Sequence, residues 1–207
     1  MTLVQGLDYA AVFIFGLTGA LAASRAQLDI VGFLFLACLT AVGGGTLRDV
    51  LLNRDQVFWI ADPGMILSAS VAAILVFFTA HFLESRLRTL EWLDALALGV
   101  AVPAGVGVAL GMNQSWPIVL IMGVATGTFG GLMRDVVCNE LPLILKKGEL
   151  YATAALVGAI SALGVAMFTN DSVIILLVCG VTTFALRTGS LLFGWCLPVY
   201  KSHPPKQ

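Results

Sequence analysis

Long uninterrupted apolar runs, separated by short polar stretches, constrain this chain more than any other feature of its sequence. Several approach or exceed the ~20 residues that a helix needs to cross a bilayer. Lipid offers no hydrogen bonds, so a spanning backbone must be helical or a closed barrel. These runs lack the short period-2 alternation of barrel strands, which selects helices. Composition agrees: 59% of the 207 residues are hydrophobic and 11% charged, where soluble domains carry roughly a quarter charged residues.

The reading is an all-α integral membrane protein with seven transmembrane helices, at roughly 7–23, 29–52, 61–82, 93–112, 116–138, 150–168 and 172–195. The breaks carry the polar residues, such as Ser24–Gln27, Asn53–Gln56, Glu84–Arg88 and Asn170–Ser172. The tail from Lys201 is polar and Pro-rich, and is expected to be disordered. Met1–Gln5 lacks a basic stretch, so the first run reads as a retained span rather than a cleaved signal.

Seven spans put the termini on opposite sides. One side receives a single loop cation, Arg54; the other receives Arg25, Arg86, Arg88, Lys146, Lys147, Lys201 and Lys206. The positive-inside rule then predicts an external N-terminus and a cytoplasmic C-terminus. The expected location is the prokaryotic plasma (inner) membrane, multi-pass.

An internal repeat runs through the chain. Gly43-Gly44-Gly45-Thr46-Leu47-Arg48-Asp49-Val50 matches Phe129-Gly130-Gly131-Leu132-Met133-Arg134-Asp135-Val136 at an offset of 86 residues. The same ungapped offset pairs Asp8 with Asp94, Gly19 with Gly105, Thr40 with Thr126 and Asn53 with Asn139. Each copy holds three spans. Three is odd, so the second copy enters the membrane from the opposite side. The predicted organisation is therefore two inverted-topology three-helix repeats, 1–89 and 90–170, plus a seventh helix in 171–199 and a tail at 200–207. Inverted repeats with Gly-interrupted helices at matching positions point to the conducting or binding site of a transport protein.

Two faces stand out on the second and fifth spans, because residues four apart share a helix face. The rows Ala37, Ala41, Gly45, Asp49 and Gly123, Gly127, Gly131, Asp135 are small residues ending in a carboxylate. Small residues at this spacing let helices approach closely, so these rows are expected to pack on another helix, with each other across the pseudo-two-fold as one option. The second rows are Thr40, Gly44, Arg48 and Thr126, Gly130, Arg134. They combine hydroxyl, accessible backbone and cation, and are expected to face a water-filled path, with Gly43 softening the helix beside them.

Charges inside a span cost roughly 2.5–3.5 kcal/mol each at mid-membrane and need partners. Arg48 and Asp49 are neighbours pointing about 100° apart, so the expected pairs are Arg48 with Asp135 and Arg134 with Asp49. These charges read either as a clamp on helix ends or as the lining of a permeation path. Arg187 in the last span has no repeat counterpart; Asp49 or Asp135 would serve it, and with Ser190 it is a candidate gate or a structural group. Asp8 and Asp94 read as helix N-terminal caps, His81 as an interfacial residue, and Pro103 and Pro117 as helix kinks or starts.

Other chemistries find no support. Net charge is −1 without a basic block, which argues against nucleic acid. Cys38, Cys138, Cys179 and Cys196 form no Cys-x-x-Cys pair and read as buried thiols rather than metal ligands. Neither His-Glu-x-x-His nor Gly-x-Ser-x-Gly occurs, and two histidines offer little general-base chemistry, so an enzyme is not expected. No cofactor is expected.

The two Gly-Gly-x-x-Arg-Asp motifs, the span count and the three-plus-three repeat resemble the prokaryotic TRIC family of trimeric intracellular cation channels. The resemblance covers nearly the whole chain. It implies a homotrimer within membrane lipid and one pore per subunit. It also implies glycine-kinked second and fifth helices at that pore and permeant monovalent cations, K⁺ above all and Na⁺. The Lys-Glu-Val-x-Arg-x-x-Lys pattern by which animal members bind phosphoinositides is missing here, and Phe129 stands where the first motif has Gly43. Related bacterial sequences with the same repeat are described as glycine transporters, which makes a small-solute carrier the alternative.

Overall fold

Helix signals in the sequence translate directly into element boundaries. In this computed structural model, residues 2–82, 85–146 and 148–198 are described. Thr2 caps α1 (Leu3–Arg25) by accepting from the Gln5 N–H at 3.2 Å, while the Thr2 N–H donates to Gln5 Oε1 at 2.9 Å. Asp29 caps α2 (Ile30–Leu51) by accepting from the Gly32 N–H at 2.8 Å. A short helix not anticipated from sequence, α3 (Phe58–Ala61), precedes α4 (Gly64–Thr79), which runs on into one 3₁₀ turn, Ala80–Phe82. Ser85 caps α5 (Arg86–Gly111). Pro117 opens the first turn of α6 (Trp116–Val137), where a missing N–H costs nothing. A 3₁₀ turn at Leu143–Leu145 leads to α7 (Ala152–Ala166) and then α8 (Ser172–Phe193), capped by Asp171.

Six of these helices, counting α4 with its 3₁₀ turn, are long and apolar enough to cross a membrane. The predicted span 150–168 is helical only over the 15 residues Ala152–Ala166, about 22 Å at 1.5 Å per residue, short of a full hydrocarbon core. Lys147, Lys201, Lys206 and the tail expected to be disordered lie outside the described residues.

The 86-residue offset reappears in three dimensions. Gln27 and Asn113 follow α1 and α5, and Asn53 and Asn139 follow α2 and α6. All four have left-handed backbone, with φ of 56°, 53°, 49° and 54°. Each lets the next N–H return to a carbonyl five residues back: Arg54 to Asp49 at 3.0 Å, Glu140 to Asp135 at 2.8 Å. Helix ends thus repeat in register.

Helices α1 and α5 form the centre. α1 packs against α2, α4 and α5, and α5 against α6, α7 and α8. Both carry small residues that are nearly inaccessible, such as Ala20, Ala23, Ala97 and Ala101. Pro103 sits inside α5 rather than ending it. It leaves the Gly99 carbonyl without its usual donor, and α8 approaches there at Gly180. Outward-facing Leu67, Phe78, Ile121 and Leu177 are more than half exposed, a surface that is stable only against lipid or another apolar partner.

Candidate functional site

The site begins where α2 and α6 cross. A Cβ on Gly44 would overlap the Thr126 carbonyl oxygen, and a Cβ on Gly130 the Thr40 carbonyl oxygen. Only glycine lets two backbones meet this closely. The contacts pair residue numbers that add to 170, so the helices run antiparallel. The Thr40 and Thr126 hydroxyls donate back to the Leu36 and Met122 carbonyls of their own helices, each at 2.6 Å. The crossing is therefore packed. The rows expected to face water make this contact.

The carboxylate-ended rows pack elsewhere, on other elements. Ala37 meets α1 at Gly19, and Gly45 lies on the Phe58 ring of α3. Ala41 packs with Phe15 and Phe58. Gly123 faces Val106 of α5 and Ala159 of α7; Gly127 faces Val102 and Leu98; Gly131 faces the Tyr151 hydroxyl. Gly43 lies over Met133. The two rows do not meet across the pseudo-two-fold, because the Gly44 and Gly130 faces make the crossing and turn these rows about 100° away, onto α1, α3, α5 and the segment before α7.

An antiparallel crossing also decides the ion pairs. Arg48 lies level with residue 122 of α6, twelve residues and roughly 18 Å from Arg134. The expected exchange of partners, Arg48 with Asp135 and Arg134 with Asp49, is therefore incorrect. Arg48 is wholly buried and donates from Nη1 to Asp8 Oδ1 at 2.8 Å, from Nη2 to Asp8 Oδ2 at 3.4 Å and from Nε to Asp49 Oδ1 at 2.7 Å. The long guanidinium arm folds back on its own neighbour, which Cβ directions alone do not anticipate. Asp49 also accepts from Arg54 Nη1 at 3.2 Å and from the Phe58 N–H at 2.8 Å, which anchors α3. The Phe58 ring lies 5.3 Å from the Arg48 guanidinium carbon.

Arg134 repeats the pattern at the other end. It donates from Nη1 to Asp94 Oδ1 at 2.8 Å and to Thr18 at 3.0 Å, and from Nε to Asp135 Oδ1 at 2.8 Å. Asp135 Oδ2 accepts from the Leu143 N–H at 2.9 Å, the counterpart of Phe58. Asp8 and Asp94, expected to be helix caps, are instead buried inside α1 and α5 as arginine partners. Their repeat pairing in the sequence was the signal that could have found them, because matched acids imply matched cations.

Arg187 is the third fully buried arginine. Its acidic partner is neither Asp49 nor Asp135. Glu149, just ahead of α7, lies 2.8 Å from Nη2, and the guanidinium carbon sits 5.2 Å from the Tyr151 ring. Asp49 is at the opposite end of the bundle, and Asp135 is already occupied. The Ser190 hydroxyl accepts from the Leu150 N–H at 3.2 Å and donates to the Trp195 carbonyl at 2.9 Å.

Two cavities approach the crossing from the N-terminal end. A vestibule of about 540 Å³ is lined by residues including Gln5, Asp8, Arg54, Asp62 and Met112. A second cavity of about 10 Å³, the size of one water molecule, lies between Asp8, Phe15, Gly44, Gly45 and Thr126. Asp8 lines both, so its pair with Arg48 stands at their boundary.

Glycine-rich antiparallel helices, each ending in a buried arginine held by two carboxylates, lie within an all-helical bundle whose fold is that of solved TRIC cation channels. The chain matches the TRIC trimeric intracellular cation channel orthologue from Rhodobacter sphaeroides with a TM-score of 0.90 and 41% identity, over 94% of this chain and 100% of that one. It matches a prokaryotic TRIC channel solved in 0.5 M KCl with a TM-score of 0.86 and 26% identity, over 93% and 97% of the two chains. The inner membrane protein YadS of Escherichia coli is 40% identical over 162 residues, 76% of each chain. The glycine transporter family model matches residues 5–81 and 91–169. The chain belongs to that family.

Proposed function

We propose that the protein is a monovalent cation channel, permeable to K⁺ and to Na⁺, with one pore per subunit of a homotrimer. The pore forms around α2 and α6, between Thr40, Gly43, Gly44 and Arg48 on one side and Thr126, Gly130 and Arg134 on the other, with Gly45 and Gly131 backing it against Phe58 and Tyr151. The observation that carries this reading is the vestibule, whose polar groups are Thr2, Gln5, Asp8, Arg54 and Asp62, ending on Asp8, the partner of Arg48, beside the glycine crossing. The likeness to solved cation channels supports it. Residues 1–89 and 90–170 are the two units, inverted relative to each other in the inner membrane with the N-terminus outside, and the segment 171–199 carries the added helix α8.

A bare arginine in such a path would repel cations. Here each repeat arginine is met by two carboxylates, Asp8 and Asp49 or Asp94 and Asp135. A passing ion then faces a neutral or negative surface, and sees a barrier only when a guanidinium swings free. Opening requires α2 and α6 to part at Gly44 and Gly130, which exposes the Thr40 and Thr126 carbonyls as weak oxygen ligands. Weak binding at several sites lets ions leave as well as enter.

Current across a planar bilayer under a KCl gradient tests the reading. Unitary currents reversing near the potassium potential, altered by Arg48→Ala and Arg134→Ala, are expected. Electrical silence with saturable glycine uptake into liposomes would make the chain a carrier.

A further inference from the structure

The two ends of the crossing are not equally well satisfied. At the outer end, Asp8, Arg48 and Asp49 all find hydrogen-bond partners. Among the described residues, the buried side-chain polar atoms without an aligned hydrogen-bond partner gather at the other end: Asp94 Oδ2, Arg134 Nη2, Glu149 Oε2, Tyr151 Oη, Thr188 Oγ1 and the three nitrogens of the Arg187 guanidinium. The Tyr151 hydroxyl and the Asp94 carboxylate still face each other beside Gly131, so the deficit rests chiefly on Arg187 and Thr188. Arg187 and Glu149 are at ion-pair distance, but without the alignment of a hydrogen bond. Incompletely paired buried groups weaken the state that holds them, so this end rearranges at lower cost.

Over that end lies a strap. α8 stops at Gly194, whose backbone is left-handed at φ 67°, and residues 194–198 turn back across the segment before α7. The Leu197 N–H donates to the Gly148 carbonyl at 2.9 Å, and Glu149 and Cys196 form an antiparallel bridge. The Trp195 ring lies so close to Gly189 that a Cβ there would overlap it. Ser190 ties the strap to Leu150 by its two hydrogen bonds. Contacts continue inward from the strap. Glu149 reaches Arg187, Arg187 stacks on Tyr151, and the Tyr151 hydroxyl lies 3.0 Å from where a Gly131 Cβ would stand, with Arg134 Nη2 at 3.6 Å from the same point. The strap is thus connected to the inner arginine–aspartate pair through a chain of named groups. Among the described residues, the first half of the molecule has no equivalent of Arg187 or of the strap.

We propose that residues 194–198 are an inner gate: latched through Ser190, Gly148 and Glu149, the strap holds Arg187 and Tyr151 against the Arg134–Asp94 pair and keeps the cytoplasmic end closed, and its release opens that end. The proposal rests on the channel reading above. Glu149, Tyr151 and Trp195 join the functional residues on this account, with Arg187 and Ser190 acting as latch rather than pore lining.

A native thiol makes the test direct. The position of a Gly148 Cβ lies 3.2 Å from Cys196 Cβ, a few tenths of an ångström inside the about 3.5–4.5 Å of a disulfide, so Gly148→Cys can lock the strap after a small shift; because Gly148 is left-handed at φ 84°, a side chain there strains the loop, and the effect is read only as the change on oxidation relative to the same variant reduced. Single-channel recording would compare wild type, Gly148→Cys, Gly148→Cys with Cys196→Ser, and Trp195→Ala. Oxidation from the cytoplasmic side should cut the open probability of Gly148→Cys at least about tenfold, with recovery on reduction and no response in the Cys196→Ser control. Trp195→Ala, which needs no cross-link, should open more often than wild type. A cross-link confirmed by peptide mass with unchanged open probability would overturn the gate, as would a Trp195→Ala channel that opens like wild type. A silent wild-type protein would instead remove the channel reading, and the gate with it.

Discussion

Whether Arg48 answers to Asp8 or to Asp135 can be measured as a coupling energy. Arg48 is inaccessible, and Asp8 supplies its contacts at 2.8 and 3.4 Å. Asp8→Ala leaves the guanidinium with Asp49 alone in a low-dielectric site. Removing one partner of a buried pair costs about 3–5 kcal/mol. For a chain of this size each kcal/mol moves the midpoint by roughly 2–4 °C, so Asp8→Ala should melt roughly 6–20 °C below wild type in detergent. Arg48→Ala should fall by a similar amount. The double variant should lose much less than the sum, a coupling of at least about 2 kcal/mol. The cycle of Arg48 with Asp135 should give less than about 0.5 kcal/mol, because the two groups sit at opposite ends of the crossing. The assay is thermal unfolding followed by size-exclusion fluorescence on the four proteins of each cycle. A large coupling of Arg48 to Asp135, or additive losses for Arg48 and Asp8, would refute both the antiparallel crossing and the pairing built on it.

Three further outcomes follow from the same geometry. Gly44→Ala and Gly130→Ala each drive a methyl group into a facing carbonyl oxygen; each should cost about 1–3 kcal/mol by thermal unfolding and change unitary conductance, while Gly111→Ala, with open space around it, should do neither. The Arg25–Glu140 pair at 2.9 Å joins partly exposed side chains, so Glu140→Gln should shift stability by less than about 1 kcal/mol, and by less still in high salt. With the N-terminus outside, a cysteine placed at Gln5 should react with an impermeant thiol reagent added externally, and the native Cys196, which is exposed rather than buried as its sequence context suggested, only from the cytoplasmic side; the reverse labelling would remove the membrane inversion of the two repeats.

The sequence carried the bilayer, the helix content and the repeat, because each depends on local or periodic information. Apolar run length selects membrane helices whatever they pack against, and an ungapped 86-residue offset survives as matched caps and matched left-handed asparagines. It also marked Arg48, Asp49, Arg134, Asp135 and Arg187 as costly groups in need of partners. What it left open was who those partners are. The inverted repeat already implied that the two motif helices run in opposite directions; where they cross, and so how far apart their arginines lie, is decided by the Gly44–Thr126 and Gly130–Thr40 contacts. Once α2 and α6 cross there, the two arginines are too far apart to exchange carboxylates, and Asp8 and Asp94, hidden as apparent helix caps, become the obligatory counter-charges. Glu149 and the strap at 194–198 were invisible for a related reason. They lie in loops with no periodicity, and their importance comes from covering a buried arginine that is distant in the chain.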